Sequence, residues 1–263
     1  MRQALLFSVL AALAGFSAAP ALAAKPPVVV ELFTAQGCSS CGKANQVIAD
    51  MADDKGVLAL TYSVDYWDYL GWTDTFAKPA FATRQRTYAT RFSLRDVPTP
   101  QVVVAGRQQA SGAKAEAVET LVKDAAKAPS NPPDMEFVGD GRRVAVGSGP
   151  APRGGGEVWL VRYDPREQDI AVKRGDNRGQ TLVHRNVVRE LVRLGPWNGR
   201  PKLYRLPAAA DEALKTVIIV QGAKGGRVIG VLQETAEKKR ALPLWERRPK
   251  AGGGSLGLLI QDP

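Results

Sequence analysis

Cys38 and Cys41 are the only cysteines of the chain, and they stand as Cys-Ser-Ser-Cys between two patterned segments. Before them, Val28-Val29-Val30-Glu31-Leu32-Phe33 reads as a buried strand. After them, Gly42 to Asp54 reads as a helix, with Val47, Ile48 and Met51 at helical spacing. A strand running through a short loop into a helix leaves the pair little freedom. An offset of three residues brings both sulfurs to one helix edge, where unpaired N–H groups favour a thiolate. Cys38 is expected to be the exposed, attacking thiol. Cys41 is expected to be the resolving thiol, one turn inside the helix.

The N-terminus bears on what such a pair does. Arg2, an apolar stretch from Ala4 to Ala19 and the small-x-small site Ala21-Leu22-Ala23 read as a signal peptide over 1–23, with the mature chain starting near Ala24. A retained anchor is the plainer alternative. No later segment has the roughly 18 uninterrupted apolar residues of a spanning helix, so no stable membrane span is expected. The reading is a periplasmic or secreted protein, in which a Cys38–Cys41 disulfide would persist. As a mere staple, a four-residue loop would contribute only about 2 kcal/mol. Redox use of the dithiol is therefore the stronger reading.

Between Pro26 and Lys127 the pattern runs β-α-β-α-β-β-α, which implies a helix-covered sheet over 26–128. Pro129-Ser130-Asn131-Pro132-Pro133 reads as a linker. Beyond it, short strand candidates separated by Gly, Asp and Pro turns predict a β-rich domain over 134–245, a sandwich or small barrel. One helix is expected near His184 to Leu194. Residues 246–263, with Gly252-Gly253-Gly254, read as a flexible tail.

Other residues bear on the dithiol. Glu31 is an acid in an apolar strand; buried, it would move protons for Cys41, and on an edge it would face solvent. The segment Val97-Pro98-Thr99-Pro100-Gln101 turns into a strand, and a cis proline there would present a backbone edge to a bound chain. The cluster Tyr66, Trp67, Tyr69 and Trp72 suits a peptide groove beside the cysteines; a packed lid is the plainer alternative. The formal charge is +10, but the basic residues are scattered rather than striped with aromatics, so nucleic acid is not an expected partner. With two cysteines and one histidine, His184, the soft ligands number three, one short of a zinc site. Neither a metal nor another cofactor is expected.

Residues 28–127 resemble the thioredoxin superfamily in their strand, C-x-x-C, helix and Thr99-Pro100 leading into a hairpin. Leu32-Phe33-Thr34, Gly37-Cys38-Ser39-Ser40-Cys41, Tyr66 to Trp72 and Thr99-Pro100-Gln101 are similar, more narrowly, to an uncharacterised exported bacterial family, domain of unknown function 1223. Arg174-Gly175-Asp176-Asn177, Asn186-Val187-Val188 and Leu194-Gly195-Pro196-Trp197 carry the likeness into the second half. The resemblance implies an α/β thioredoxin-like N-terminal domain followed by the β-rich domain. It assigns the cis proline to Pro100, with Pro98 the weaker choice; Thr99 beside it and Trp67 and Trp72 of the aromatic cluster are the candidate substrate-binding residues. Gly37 stands where the superfamily has Trp, Ser39-Ser40 replaces Gly-Pro, and Glu31 lies one residue further from the cysteine than usual.

The expected activity is thiol–disulfide exchange on protein or small-molecule thiols and disulfides, with Cys38, Cys41, Pro100 and Glu31 as its residues and a redox partner protein unspecified. The rivals are a non-catalytic binding module and, behind it, a Cu(I) chaperone.

Overall fold

A computed structural model describes residues 25–139 and 141–234. The expected signal peptide and tail lie outside these residues. The first half follows the expected order: β1 (Val28–Thr34), α1 (Cys41–Met51), β2 (Val57–Ser63), α2 (Pro79–Arg91), β3 (Gln101–Val104), β4 (Gln108–Ser111) and α3 (Ala115–Lys127). Strand β1 lies parallel to β2 and antiparallel to β3, and β3 pairs with β4. Side chains alternate across β1. Val30 and Leu32 meet Ala44, Val47, Ile48 and Met51 of α1, whereas Val29 and Phe33 meet Phe81, Ala82 and Tyr88 of α2. Pro79 opens α2, where its missing N–H costs nothing.

The second half supplies β5 (Met135–Val138), β6 (Arg143–Val146), β7 (Gly156–Asp164), β8 (Gln168–Ala171), β9 (Thr181–His184), β10 (Val187–Trp197), β11 (Lys202–Arg205), β12 (Lys215–Gly222) and β13 (Val228–Gln233). Four of these extend the first sheet, which runs β13-β12-β7-β10-β2-β1-β3-β4. The linker thus divides the chain but not the sheet. The join is β10 on β2: Thr61 N–H donates to Asn186 O at 3.0 Å and Asn186 Nδ2 to Ala59 O at 2.9 Å. Sheet β11-β6-β5 covers one face of the extension through Val144, Val146, Leu160, Trp197 and Ile218.

The helix expected at His184 to Leu194 is instead the last residue of β9, a short turn and most of β10. Val187, Val188, Leu191, Val192 and Leu194 do match helical spacing. They serve a strand whose register shifts between Val188 and Glu190 and between Arg193 and Gly195, and each shift mimics a period longer than two.

The large sheet curls around α2. From β12 to β1 is four strand spacings, about 19 Å if flat. Yet Arg84 Nη2 of α2 donates to both Gln221 Oε1 at 3.0 Å and Glu31 Oε2 at 3.1 Å. The strand β13 returns to the β3–β4 turn, where Val228 N–H donates to Ala105 O at 2.8 Å. Gly106 is required at this closure: its φ is +61°, and a Cβ there would lie 2.3 Å from Gly226 O. Among the described residues no helix is long and apolar enough to cross a membrane.

Candidate functional site

Cys38 and Cys41 form a disulfide, with Cα atoms 5.4 Å apart. Helix α1 begins at Cys41, with Ser40 before it as N-cap, so Cys38 lies just outside the helix. The exposure expected of Cys38 is not found. Cys38 is 1% and Cys41 0% accessible, while Ser39 and Ser40 between them are exposed. Ser40 Oγ lies 3.7 Å from Cys38 Sγ.

Two segments pack around the Gly37–Cys38 backbone. The first is the aromatic loop between β2 and α2. It is held by Gln36, whose N–H donates to Asp74 Oδ2 at 2.7 Å and whose Oε1 accepts from Trp72 Nε1 at 2.9 Å. Trp67 and Leu70 of this loop stand over Gly37, where an added Cβ would lie 3.6 Å from Trp67 O and 4.0 Å from Leu70 Cδ1. Tyr69 stacks beside Trp67 and is 77% exposed. Burial raises the pKa of the Asp74 carboxyl above its usual value, against the pull of its backbone hydrogen bonds.

The second segment is the β8–β9 hairpin. Asn177 Nδ2 donates to Gln36 O at 2.9 Å and Cys38 O at 2.7 Å. Gly175 lies against Gly37, where its added Cβ would be 3.6 Å from Gly37 Cα, and Leu182 lies against Gly42. His184 sits beneath α1, with Nε2 3.2 Å from Asn45 Nδ2. Asn45 Oδ1 accepts from Thr34 Oγ1 at 2.7 Å, so its amide is the donor to His184. His184 Nδ1–H then points at Leu182 O, 3.2 Å away. Both ring nitrogens are engaged, and burial pushes the His184 pKa down to about 4.

The Thr99–Pro100 peptide is cis. Tyr66 OH, Thr99 Oγ1 and Gln85 Oε1 form one hydrogen-bonded group, and Gln85 Nε2 donates to Pro98 O at 2.7 Å. Pro100 and α1 come together at Gly112, where a Cβ would lie 2.9 Å from Ala44 Cβ and 3.4 Å from Pro100 Cβ. The cysteines, the cis proline, Thr99 and the aromatic loop thus share one end of the sheet.

Glu31 is fully buried on the α2 face of β1. Arg84 Nε donates to its Oε1 at 2.6 Å, and Arg84 Nη2 and the Tyr88 hydroxyl donate to Oε2. The surface position weighed for it is excluded. Its carboxylate anchors the guanidinium that spans the curled sheet.

Sequence reasoning gave no role to Gln36, Asn45 or Asn177, although Asn177 ends one of the strings that carry the family likeness. Their contacts to Trp72, His184 and Gln36 span 36 to 141 residues, and no local pattern names such a partner. Among the described residues, no three His, Cys, Asp or Glu side chains gather as metal ligands.

The fold is mixed α/β, with one large sheet and few helices. A family model described as "Protein of unknown function (DUF1223)" matches residues 29–221, and the chain belongs to that family. A crystal structure of protein AGR_C_4864 from Agrobacterium tumefaciens is similar at 30% identity and TM-score 0.64, covering 80% of this chain and 95% of that one. HBP35 of Porphyromonas gingivalis shares the fold at 14% identity and TM-score 0.52, covering 89% of this chain and 80% of that one. No curated protein matches the sequence.

Proposed function

We propose that this chain is an exported thiol–disulfide oxidoreductase with a thioredoxin-like first half. The observation that carries the reading is the Cys38–Cys41 disulfide at the head of α1, with cis Thr99–Pro100 at the same end of the sheet. The order β2-β1-β3-β4, with β1 and β2 parallel and β3 and β4 antiparallel to their neighbours, supports it. In the reduced protein, the Cys38 thiolate attacks one sulfur of a substrate disulfide. That S–S bond breaks, and the leaving sulfur takes a proton. Cys41 then attacks the Cys38 sulfur, releasing the second substrate thiol and restoring the internal disulfide. Two electrons pass to the substrate, and an external dithiol, itself oxidised to a disulfide, returns them; the reverse sequence oxidises a substrate dithiol. Pro100 and Thr99 would present a backbone edge, and Trp67, Trp72 and the exposed Tyr69 an aromatic surface, to the substrate chain. Glu31 serves the ion pair with Arg84.

The test is insulin reduction with dithiothreitol as electron source, alongside trapping from periplasmic extract. Wild type should accelerate insulin precipitation, Cys38→Ser should not, and Cys41→Ser should retain mixed disulfides. A Cys38→Ser protein as active as wild type would exclude the assignment.

The burial of Cys38 favours a second reading, a binding module that keeps the disulfide closed. It requires a pair that glutathione does not reduce at any ordinary ratio, which a redox titration distinguishes.

A further inference from the structure

We propose that the β8–β9 hairpin is a movable clasp over the dithiol, and that Asn177 is the positioning residue that holds it shut. The hairpin belongs to neither larger sheet; β8 and β9 pair only with each other, and an isolated two-stranded ribbon is marginally stable. Its base is fastened by Leu182 and His184, both buried against α1. Its tip is organised internally: Gly179 N–H donates to Val172 O and Gln180 N–H to Asn177 O, each at 2.9 Å. The tip therefore moves as a unit.

Of the tip, Val172 is buried and Gly175 rests against Gly37 and Leu70; most of the rest meets solvent. Lys173, Arg174, Asp176, Arg178, Gly179 and Gln180 are exposed, while Asn177 is fully buried. Its amide ties the carbonyls of Gln36 and Cys38, the two residues flanking Gly37. The tie leaves half of the Asn177 amide unmatched. Asn177 Oδ1 is buried without a hydrogen-bond partner among the described residues. The cost of that orphan acceptor offsets part of what the two donated bonds contribute. Opening rehydrates the acceptor and uncovers Cys38, whereas the sheet and α1 stay intact.

This inference deepens the oxidoreductase reading and rests on it for its biological use, but its test needs no turnover. Reduction of Cys38–Cys41 by dithiothreitol is followed in native buffer and at rising sub-denaturing urea. Urea unfolding is monitored in parallel by tryptophan fluorescence. In wild type the reduction rate should stay nearly flat with urea, since a local opening exposes little surface. Asn177→Ala and Asn177→Asp should both reduce about tenfold faster or more, with urea midpoints that fail to account for the gain. Ile218→Val, in the separate core beneath β5, β6 and β11, should lower the midpoint without that acceleration. Wild-type-like reduction in the Asn177 variants overturns the clasp. So does a wild-type rate that climbs along the global unfolding slope, a measurement that requires no variant to fold. A protein that never reduces insulin would remove the oxidoreductase reading and leave these rates unaffected.

Discussion

His184 Nε2 lies 3.2 Å from the amide of Asn45, so a strand residue of the second half supports the helix that begins with Cys41. The contact requires a neutral imidazole: Asn45 donates to Nε2, which cannot carry a proton and accept at once. Burial keeps it so, with the pKa near 4 against an ordinary 6.5. In the unfolded chain the ring protonates below about pH 6.5. The unfolded state therefore binds more protons between pH 6.5 and 4, and stability falls as pH drops through that window. The shift corresponds to about 3 kcal/mol. Asp74, raised by burial, acts in the opposite sense at acid pH, so the prediction is a difference. His184→Gln should lose about 2–3 kcal/mol less than wild type between pH 7 and 4.5, as read from urea unfolding at both pH values.

The Glu31–Arg84 pair is the buried strut of the curled sheet. Arg84→Met leaves a buried carboxylate without its cation and should cost about 3–5 kcal/mol. Adding Glu31→Leu should recover much of that loss, because both charges are then gone. A double-mutant cycle on denaturation midpoints measures the coupling, and additive losses would contradict the strut.

Gly112 separates α1 from the cis-proline turn. Gly112→Ala places a methyl 2.9 Å from Ala44 Cβ and 3.0 Å from Leu32 Cδ1. Such overpacking should cost about 1–3 kcal/mol. If Pro100 and Cys38 act together, the variant should also lose insulin reduction by more than its stability explains. Thermal melts beside turnover at a temperature where both proteins are folded make the comparison.

Native reduction of the disulfide should lower stability only modestly. The pair closes a loop of four residues, which predicts about 2 kcal/mol from chain entropy. Urea unfolding of oxidised and reduced protein checks this, and a loss several times larger would assign the pair a main structural role.

Much of the site was legible because its signals are local. The apolar run ending at Phe33, the Cys38–Cys41 spacing and the periodic face of α1 each lie within one element and obey its period. A cis proline before the third strand was readable from the turn, and the family resemblance chose Pro100 over Pro98, where the cis peptide lies. The depth of Cys38 was not legible, because Trp67 and Asn177, which pack on Gly37 and on the Cys38 carbonyl, come from a loop and a hairpin outside the motif. Nor was β10, whose bulges blur the period of two.

Local chemistry written into the chain was sufficient for the strand–dithiol–helix unit and for the alternation that gives β1 two faces. How β10 docks on β2, how the sheet bends until one guanidinium joins Glu31 to Gln221, and whether the sulfurs meet solvent were settled only by folding. Those outcomes rest on hydrogen bonds and packing between groups more than a hundred residues apart. Their energies depend on the assembled geometry, and no window of sequence contains it.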